Sequence, residues 1–265
     1  MAARVRQAFL LWFVLAAATF SVAQGGPPLL TDDPGTPGNE NFEINVGFAA
    51  ERHPTQRIYN APLFDINYGL GSRIQLKYET PLVIYGADGA PTKSGWGNSL
   101  AGMKWRFFQN EKHEFYISTY PQLEFNNPTH SVERGIADRG PAFLLPIEIA
   151  KKLGPVDLNV EAGHWFSRDN PQWITGIAVG RQQTKRIELL GEVYHVSAAR
   201  PERFTIFDAG ARVKLFNPVL LIFSAGRSFR GPASGEPQFI GYGGLQFLLL
   251  DKWEPEDHPG ETQRP

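Results

Sequence analysis

Cysteine is missing from all 265 residues. That absence excludes a disulfide framework, a thiolate metal site and a thiol nucleophile. An excess of one charge is missing as well: 26 basic residues face 27 acidic ones, for a net charge of −1. Nucleic acid therefore has no electrostatic footprint to bind, and none is expected as a partner. Long apolar runs are also scarce. Beyond residue 23 the longest is Val219-Leu220-Leu221-Ile222-Phe223, far short of the roughly 20 residues that a membrane-spanning helix needs. The histidines beyond His195, at 53, 113, 130, 164 and 258, lack the spacing of metal ligands. Gly241-Tyr242-Gly243-Gly244 lacks the Lys-Ser/Thr pair of a phosphate loop. No metal or cofactor is expected.

Glycine and proline are plentiful instead, with 27 and 21 copies, and both disfavour helix interiors. Residues 1–23 have the layout of a secretory signal. Arg4 and Arg6 form a basic start, Ala8 to Phe20 an apolar stretch, and Ser21-Val22-Ala23 a small-residue cleavage site before Gln24. An exported chain without an apolar helix can cross a membrane only with strands.

From residue 40 onward the dominant period is two. Phe42, Ile44, Val46 and Phe48 alternate with Glu43, Asn45 and Gly47, and Phe64, Ile66 and Tyr68 alternate with Asp65 and Asn67. Ile74, Leu76 and Tyr78 alternate with Gln75, Lys77 and Glu79 in the same way. Later segments repeat it through Val156–Gly163, Ile187–Val193 and Phe207–Leu215. Alternation of this kind places every apolar side chain on one face of a pleated strand. Counting segments gives about 12 strands. Tight junctions such as Leu70-Gly71-Ser72 and Phe216-Asn217-Pro218 alternate with longer polar stretches, Tyr85 to Gly97 and Asn126 to Gly140 among them. Short turns at one end and long loops at the other is the layout of outer-membrane barrels.

The pattern predicts a single antiparallel up-and-down transmembrane β-barrel over residues 40–250. A Pro/Gly-rich segment, 24–39, precedes it and a polar tail, 251–265, follows. Aromatics near the strand ends, Tyr59, Tyr85, Phe107, Phe108, Trp165, Phe166, Trp173 and Phe216, suit interfacial girdles. A secreted ligand-binding β-sandwich shares the alternation and is the alternative fold.

Gly26-Pro27-Pro28-Leu29-Leu30-Thr31-Asp32-Asp33-Pro34-Gly35-Thr36-Pro37, followed by Phe42-Glu43-Ile44-Asn45, is a distinctive opening. It resembles the start of the bacterial MetA-pathway of phenol degradation family of outer-membrane, porin-like barrels. Gly191-Glu192-Val193-Tyr194 and Asp208-Ala209-Gly210-Ala211-Arg212 also resemble recurring stretches of that family. The resemblance implies a bacterial outer-membrane location and passage or binding of small aromatic or apolar molecules. It supplies no catalytic residues.

Candidate site residues follow from the polar faces. In a closed barrel Glu43, Asp65, Arg73, Lys77, Glu79, Lys104, Arg106, Glu148, Glu161, Arg181, Glu188, Glu192, Asp208 and Arg212 point inward. There they either line a conduit or seal it by pairing with one another. Asp32 and Asp33 read as a turn motif, with the alternative that their stiff segment enters the barrel and brings two carboxylates to its lumen. His195-Val196-Ser197 puts a histidine and a serine on one strand face, the arrangement of a barrel-embedded lipid hydrolase. A polar pair near a strand end is the simpler account, and the chain is read as a non-enzyme. Its expected partners are outer-membrane lipid and a small-molecule solute, and it is expected to be a monomer.

Overall fold

The computed structural model describes residues 26–197, 203–231 and 235–249. The expected signal at 1–23 and the expected polar tail at 251–265 lie outside the described residues. Fourteen strands form one antiparallel sheet. The first seven are β1 (Phe42–Arg52), β2 (Gln56–Leu70), β3 (Ile74–Ala87), β4 (Lys93–Trp96), β5 (Ser99–Asn110), β6 (Phe115–Thr119) and β7 (Gln122–Phe125). The second seven are β8 (Ala142–Leu153), β9 (Val156–Phe166), β10 (Gln172–Gln182), β11 (Ile187–Ser197), β12 (Phe204–Phe216), β13 (Val219–Ser228) and β14 (Phe239–Leu249).

Two pairs of these strands are single staves interrupted midway. β3 pairs with β5 through Ile74–Glu79 and with β4 through Leu82–Tyr85. β8 likewise pairs with β7 at one end and β6 at the other. The break between β6 and β7 falls at Tyr120-Pro121, where proline has no N–H to give the ladder. β1 pairs with β14 from Phe42↔Leu249 to Arg52↔Phe239. The result is a closed transmembrane barrel of twelve antiparallel staves, without a free edge.

Side-chain burial follows the period of two. On β10, Ile174, Gly176, Ala178 and Gly180 are buried while Trp173, Thr175, Ile177 and Val179 are exposed. Leu145, Ile147, Leu189, Val193, Phe207, Leu221 and Phe223 continue the exposed apolar band around the outside. A sandwich would bury that face between sheets, so the alternative fold is excluded. The short turns at Gly71–Arg73, Gly154-Pro155 and Asn217-Pro218 share one end with the 3₁₀ turn Glu111–His113.

Four expectations change. Lys93–Trp96, read as loop, is a strand, because its backbone finds the free edge of β3 above β5. Arg73 sits exposed in the turn before β3 rather than along the inner wall. Arg181 lies one position from the buried Gly180 and so falls on the outer face. Trp165 is not in an outer girdle; it packs inward against Leu144, Ile174, Tyr194, Val196 and Ile206.

Ile177 is the midpoint of β10 and 54% exposed. Ile177→Arg should therefore cost about 2–4 kcal/mol near the bilayer midplane, whereas Arg181→Ile, at the end of the same outer face, should change stability by only about 0–1 kcal/mol. Refolding into lipid vesicles under denaturant measures both.

Candidate functional site

The Pro/Gly-rich segment before β1 runs inside the barrel. Thr36 Oγ1 donates to the Ser72 carbonyl at 3.1 Å, fixing that part of the segment at the short-turn end. From there the chain climbs into the lumen, turns through Pro28–Thr31 and heads back down. The Gly26 N–H closes this turn on the Thr31 carbonyl at 2.9 Å. Leu29 packs on Ala178 and Leu190 at mid-barrel. Gly176 makes room for the tip: a Cβ there would run into the Thr31 side chain, so the small inward residues of β10 are a fitted seat.

Charged wall residues grip the backbone of this plug. Glu192 accepts from the Leu30 N–H and the Thr31 N–H, one on each carboxylate oxygen, both at 2.8 Å. Glu161 accepts from the Asp32 N–H at 3.0 Å. Arg212 donates to the Pro27 carbonyl at 3.0 Å and Ser224 Oγ to the Pro28 carbonyl at 2.7 Å. Arg106 reaches the carbonyls of Pro34 and Ser72. A loop carried through a barrel must satisfy its backbone groups somewhere, and here the wall supplies the partners.

Lys104 is the hub. Its side chain is 3% exposed and its Nζ lies 2.7 Å from Asp32 Oδ1 and 3.9 Å from Glu148. It also donates to the Asp33 carbonyl and sits 4.6 Å over the Tyr120 ring. Lys77 pairs with Asp65 at 3.4 Å and Glu79 at 2.9 Å, and Asn45 joins Glu43 to Asp65. Glu188 meets Arg212 at 3.4 Å. Between this wall and the plug is a polar cavity of about 20 Å³ lined by Asp33, Asp65, Lys77 and Lys104, room for one water.

Asp32 and Asp33 combine both sequence readings. Each makes turn bonds, Asp32 to the Asp33 N–H and Asp33 to the Gly35 N–H, and both sit in the lumen. Burial opposes ionisation of Asp32, but Lys104 and Lys77 outweigh it and hold its carboxyl below the ordinary range. Burial pushes Asp33 up to about 7, with the Asp32 charge adding to it against Lys104.

The sequence alternation gave no sign of the other half of the lumen. Above the plug the inner wall encloses a vestibule of about 410 Å³, where Glu51, Asn60, Lys77, Glu79, Gln122 and Glu161 share the lining with a large apolar surface. Leu144, Ile174, Trp165, Tyr194, Phe204, Ile206 and Ile240 line its sides, and Pro27 to Leu30 form its floor. Asp208 and Tyr242 also line it, and each carries a buried side-chain oxygen with no hydrogen-bond partner among the described residues. Ile174 and Tyr194 fall in runs that are apolar at consecutive positions, Trp173-Ile174 and Val193-Tyr194, so strand parity alone hid them.

His195 and Ser197 do not combine. Both sit on the face of β11 shared with the exposed Leu189 and Val193, and neither lines the cavities described here. His195 Nδ1 is bonded to Thr205 Oγ1 at 2.7 Å, across to β12.

Solved structures share the barrel fold. The COG4313 outer membrane channel from Pseudomonas putida F1 matches with a TM-score of 0.61 at 14% identity, over 85% of this chain and 99% of that one. The NanC porin matches at 0.57 with 6% identity, over 78% and 100%. The KdgM porin matches at 0.55 with 10% identity, over 78% and 100%. The fold is that of the outer-membrane porins. No protein-family model matches the chain, and no curated relative does. The likeness of the opening segment to the MetA-pathway family thus stays a likeness of motif, and the porin-like barrel stands on structure.

Two outcomes follow from the grip on the plug. Lys104→Met leaves Asp32 and Glu148 without their cation, and loss of one partner from a buried charged cluster costs about 3–5 kcal/mol. Protease cleavage of residues 26–41 in the folded barrel should rise accordingly. Asp33 supplies a pH test. A carboxyl at about 7 in the docked plug, against its ordinary 3.8, binds its proton more tightly when docked. Docking should therefore weaken as pH rises between those values. Asp33→Asn cannot ionise and keeps an acceptor for Gly35, so its cleavage should change less than the parent's between pH 4 and pH 8.

Proposed function

We propose that the chain is exported to the bacterial outer membrane and works there as a monomeric porin-like barrel that binds and passes small aromatic or apolar molecules. The observation that carries this reading is the apolar vestibule above the plug. About 410 Å³ lies within the usual range of ligand pockets, and a dry apolar cavity of about 150 Å³ already takes benzene. Its apolar patch, Leu144, Ile174, Phe204, Ile206 and Ile240, faces polar groups such as Asn60, Glu79 and Asp208, and predominantly apolar walls with placed polar groups are the usual composition of a small-molecule site. The lumen below it is occupied by the plug and its ion pairs, which leaves hydrated solutes little room. The expected signal at residues 1–23 and the exposed apolar band support the location, and the engagement of His195 by Thr205 Oγ1 supports a non-enzymatic role.

Trp165 lines the vestibule and reports on its contents. In bilayer nanodiscs, bromobenzene should quench the part of the tryptophan emission that Trp165→Phe removes, and that part should saturate. Ile206→Asp places a charge on the buried wall and should weaken the saturable phase at least tenfold. Quenching that never saturates, or that Ile206→Asp leaves unchanged, would overturn the vestibule as a binding site. Outer-membrane fractionation and heat-dependent gel migration check the location.

A further inference from the structure

One carboxylate of the vestibule is left unanswered by the rest of the lumen. Asp208 stands on the inner face of β12, only 5% exposed, and lines the vestibule. Its Oδ1 is buried with no hydrogen-bond partner among the described residues. A buried carboxylate oxygen without a donor forfeits the hydration it had in water, and no contact among the described residues offsets that loss.

The neighbours of Asp208 are engaged elsewhere. Glu192 faces it directly across the ladder between β11 and β12, and both Glu192 carboxylate oxygens accept from the plug, at Leu30 and Thr31. On the other side Asp208 faces Gly226, which has no side chain to offer; a Cβ there would lie 2.2 Å from the Asp208 Cβ. The single hydroxyl proton of Ser224 goes to the Pro28 carbonyl at 2.7 Å. Arg212 is held by Glu188 and the Pro27 carbonyl, and Lys77 by Asp65 and Glu79. Lys104 serves Asp32 and the Asp33 carbonyl. Carboxylates directly opposed across a ladder repel each other, and these two have no such cation between them.

The vestibule as a whole carries the same sign. Asp32, Glu51, Glu79, Glu161 and Asp208 line it against one base, Lys77. A cleft lined by acidic groups between low-dielectric walls raises the local concentration of cations. The apolar surface is in line with Asp208. Ile206 and Phe204 follow it on the same face of β12 toward the long-loop end, about 7 and 14 Å along the strand. Tyr194, opposite Ile206 on β11, and Ile240, opposite Gly226 on β14, flank that path.

We propose that the vestibule selects apolar molecules that carry a primary amine, and that Asp208 receives the ammonium group. The proposal deepens the vestibule reading above and rests on it. An ammonium group has three N–H donors and no acceptor. It gives Oδ1 the donor that the wall withholds, and it sets a positive charge beside two opposed carboxylates. A hydroxyl would supply the donor but leave that charge unbalanced. The hydrocarbon body of the guest then lies along Ile206 and Phe204.

Three probes that share a bromophenyl group separate the amine from the body: 4-bromobenzylamine, 4-bromobenzyl alcohol and bromobenzene. Each is titrated against the full chain in phosphatidylcholine nanodiscs near neutral pH, with quenching of Trp165 as the readout. The amine should reach half-saturation at a concentration about tenfold below either neutral probe, the scale of one charge-assisted hydrogen bond. Asp208→Asn keeps the size of the side chain and should abolish that preference while leaving bromobenzene binding unchanged. Asp208→Glu keeps the carboxylate and should keep the preference. The comparison among probes in the parent requires no variant to fold. Saturable quenching by bromobenzene without preference for the amine would overturn the proposal and leave the vestibule reading standing. A preference that survives Asp208→Asn, or an alcohol that binds as tightly as the amine, would overturn it as well. A parent that no probe quenches saturably would instead overturn the vestibule reading, and the amine site with it.

Discussion

A buried lysine governs the interior. Lys104 is almost wholly out of water, and an ammonium group so placed must be met by opposite charge and hydrogen-bond acceptors or not be charged at all. The barrel wall offers it Glu148 and the face of Tyr120. The remaining partners, the Asp32 carboxylate and the Asp33 carbonyl, come from the segment before β1. Neither the wall nor the segment satisfies its own charges alone, so the plug docks because each side completes the other.

The same reciprocity extends along the plug. Carboxylates on the wall exceed the cations beside them, and Glu192 and Glu161 are occupied by backbone amides of residues 30–32 rather than by lysine or arginine. Arg212 and Ser224 take the carbonyls on the returning arm. Proline suits this segment for a related reason: Pro27, Pro28 and Pro34 have no N–H to satisfy inside the barrel. Polar wall and plug fill one half of the lumen, and the space they leave is the apolar half.

That division makes the molecule amphipathic along its axis as well as across its wall. Across the wall, apolar side chains meet lipid and polar ones meet the plug. Along the axis, the charged floor gives way to Leu144, Ile174 and Ile206. Selectivity for apolar guests, on this reading, follows from where water has been excluded.

The sequence by itself determined the barrel. Alternation with period two, turns of alternating length and the lack of any long apolar helix leave strands with one lipid-facing side, because successive side chains must point to opposite faces. It also marked Lys104, Glu161, Glu192, Asp208 and Arg212 as inner-face charges. What it left undecided was their partners. Residues 129 or more positions apart in the chain, such as Asp32 and Glu161 or Thr31 and Glu192, meet only once the sheet has closed, and no local pattern records that contact. The apolar vestibule was hidden for a similar reason: inward Ile174 and outward Ile177 are the same residue type, and only closure of the ring decides which of them faces lipid and which a guest. The ends of strands escaped parity too. Arg73 falls in a turn and Trp165 turns inward, since register and barrel closure, rather than spacing along the chain, set where a strand stops and which side of the wall its last residues meet.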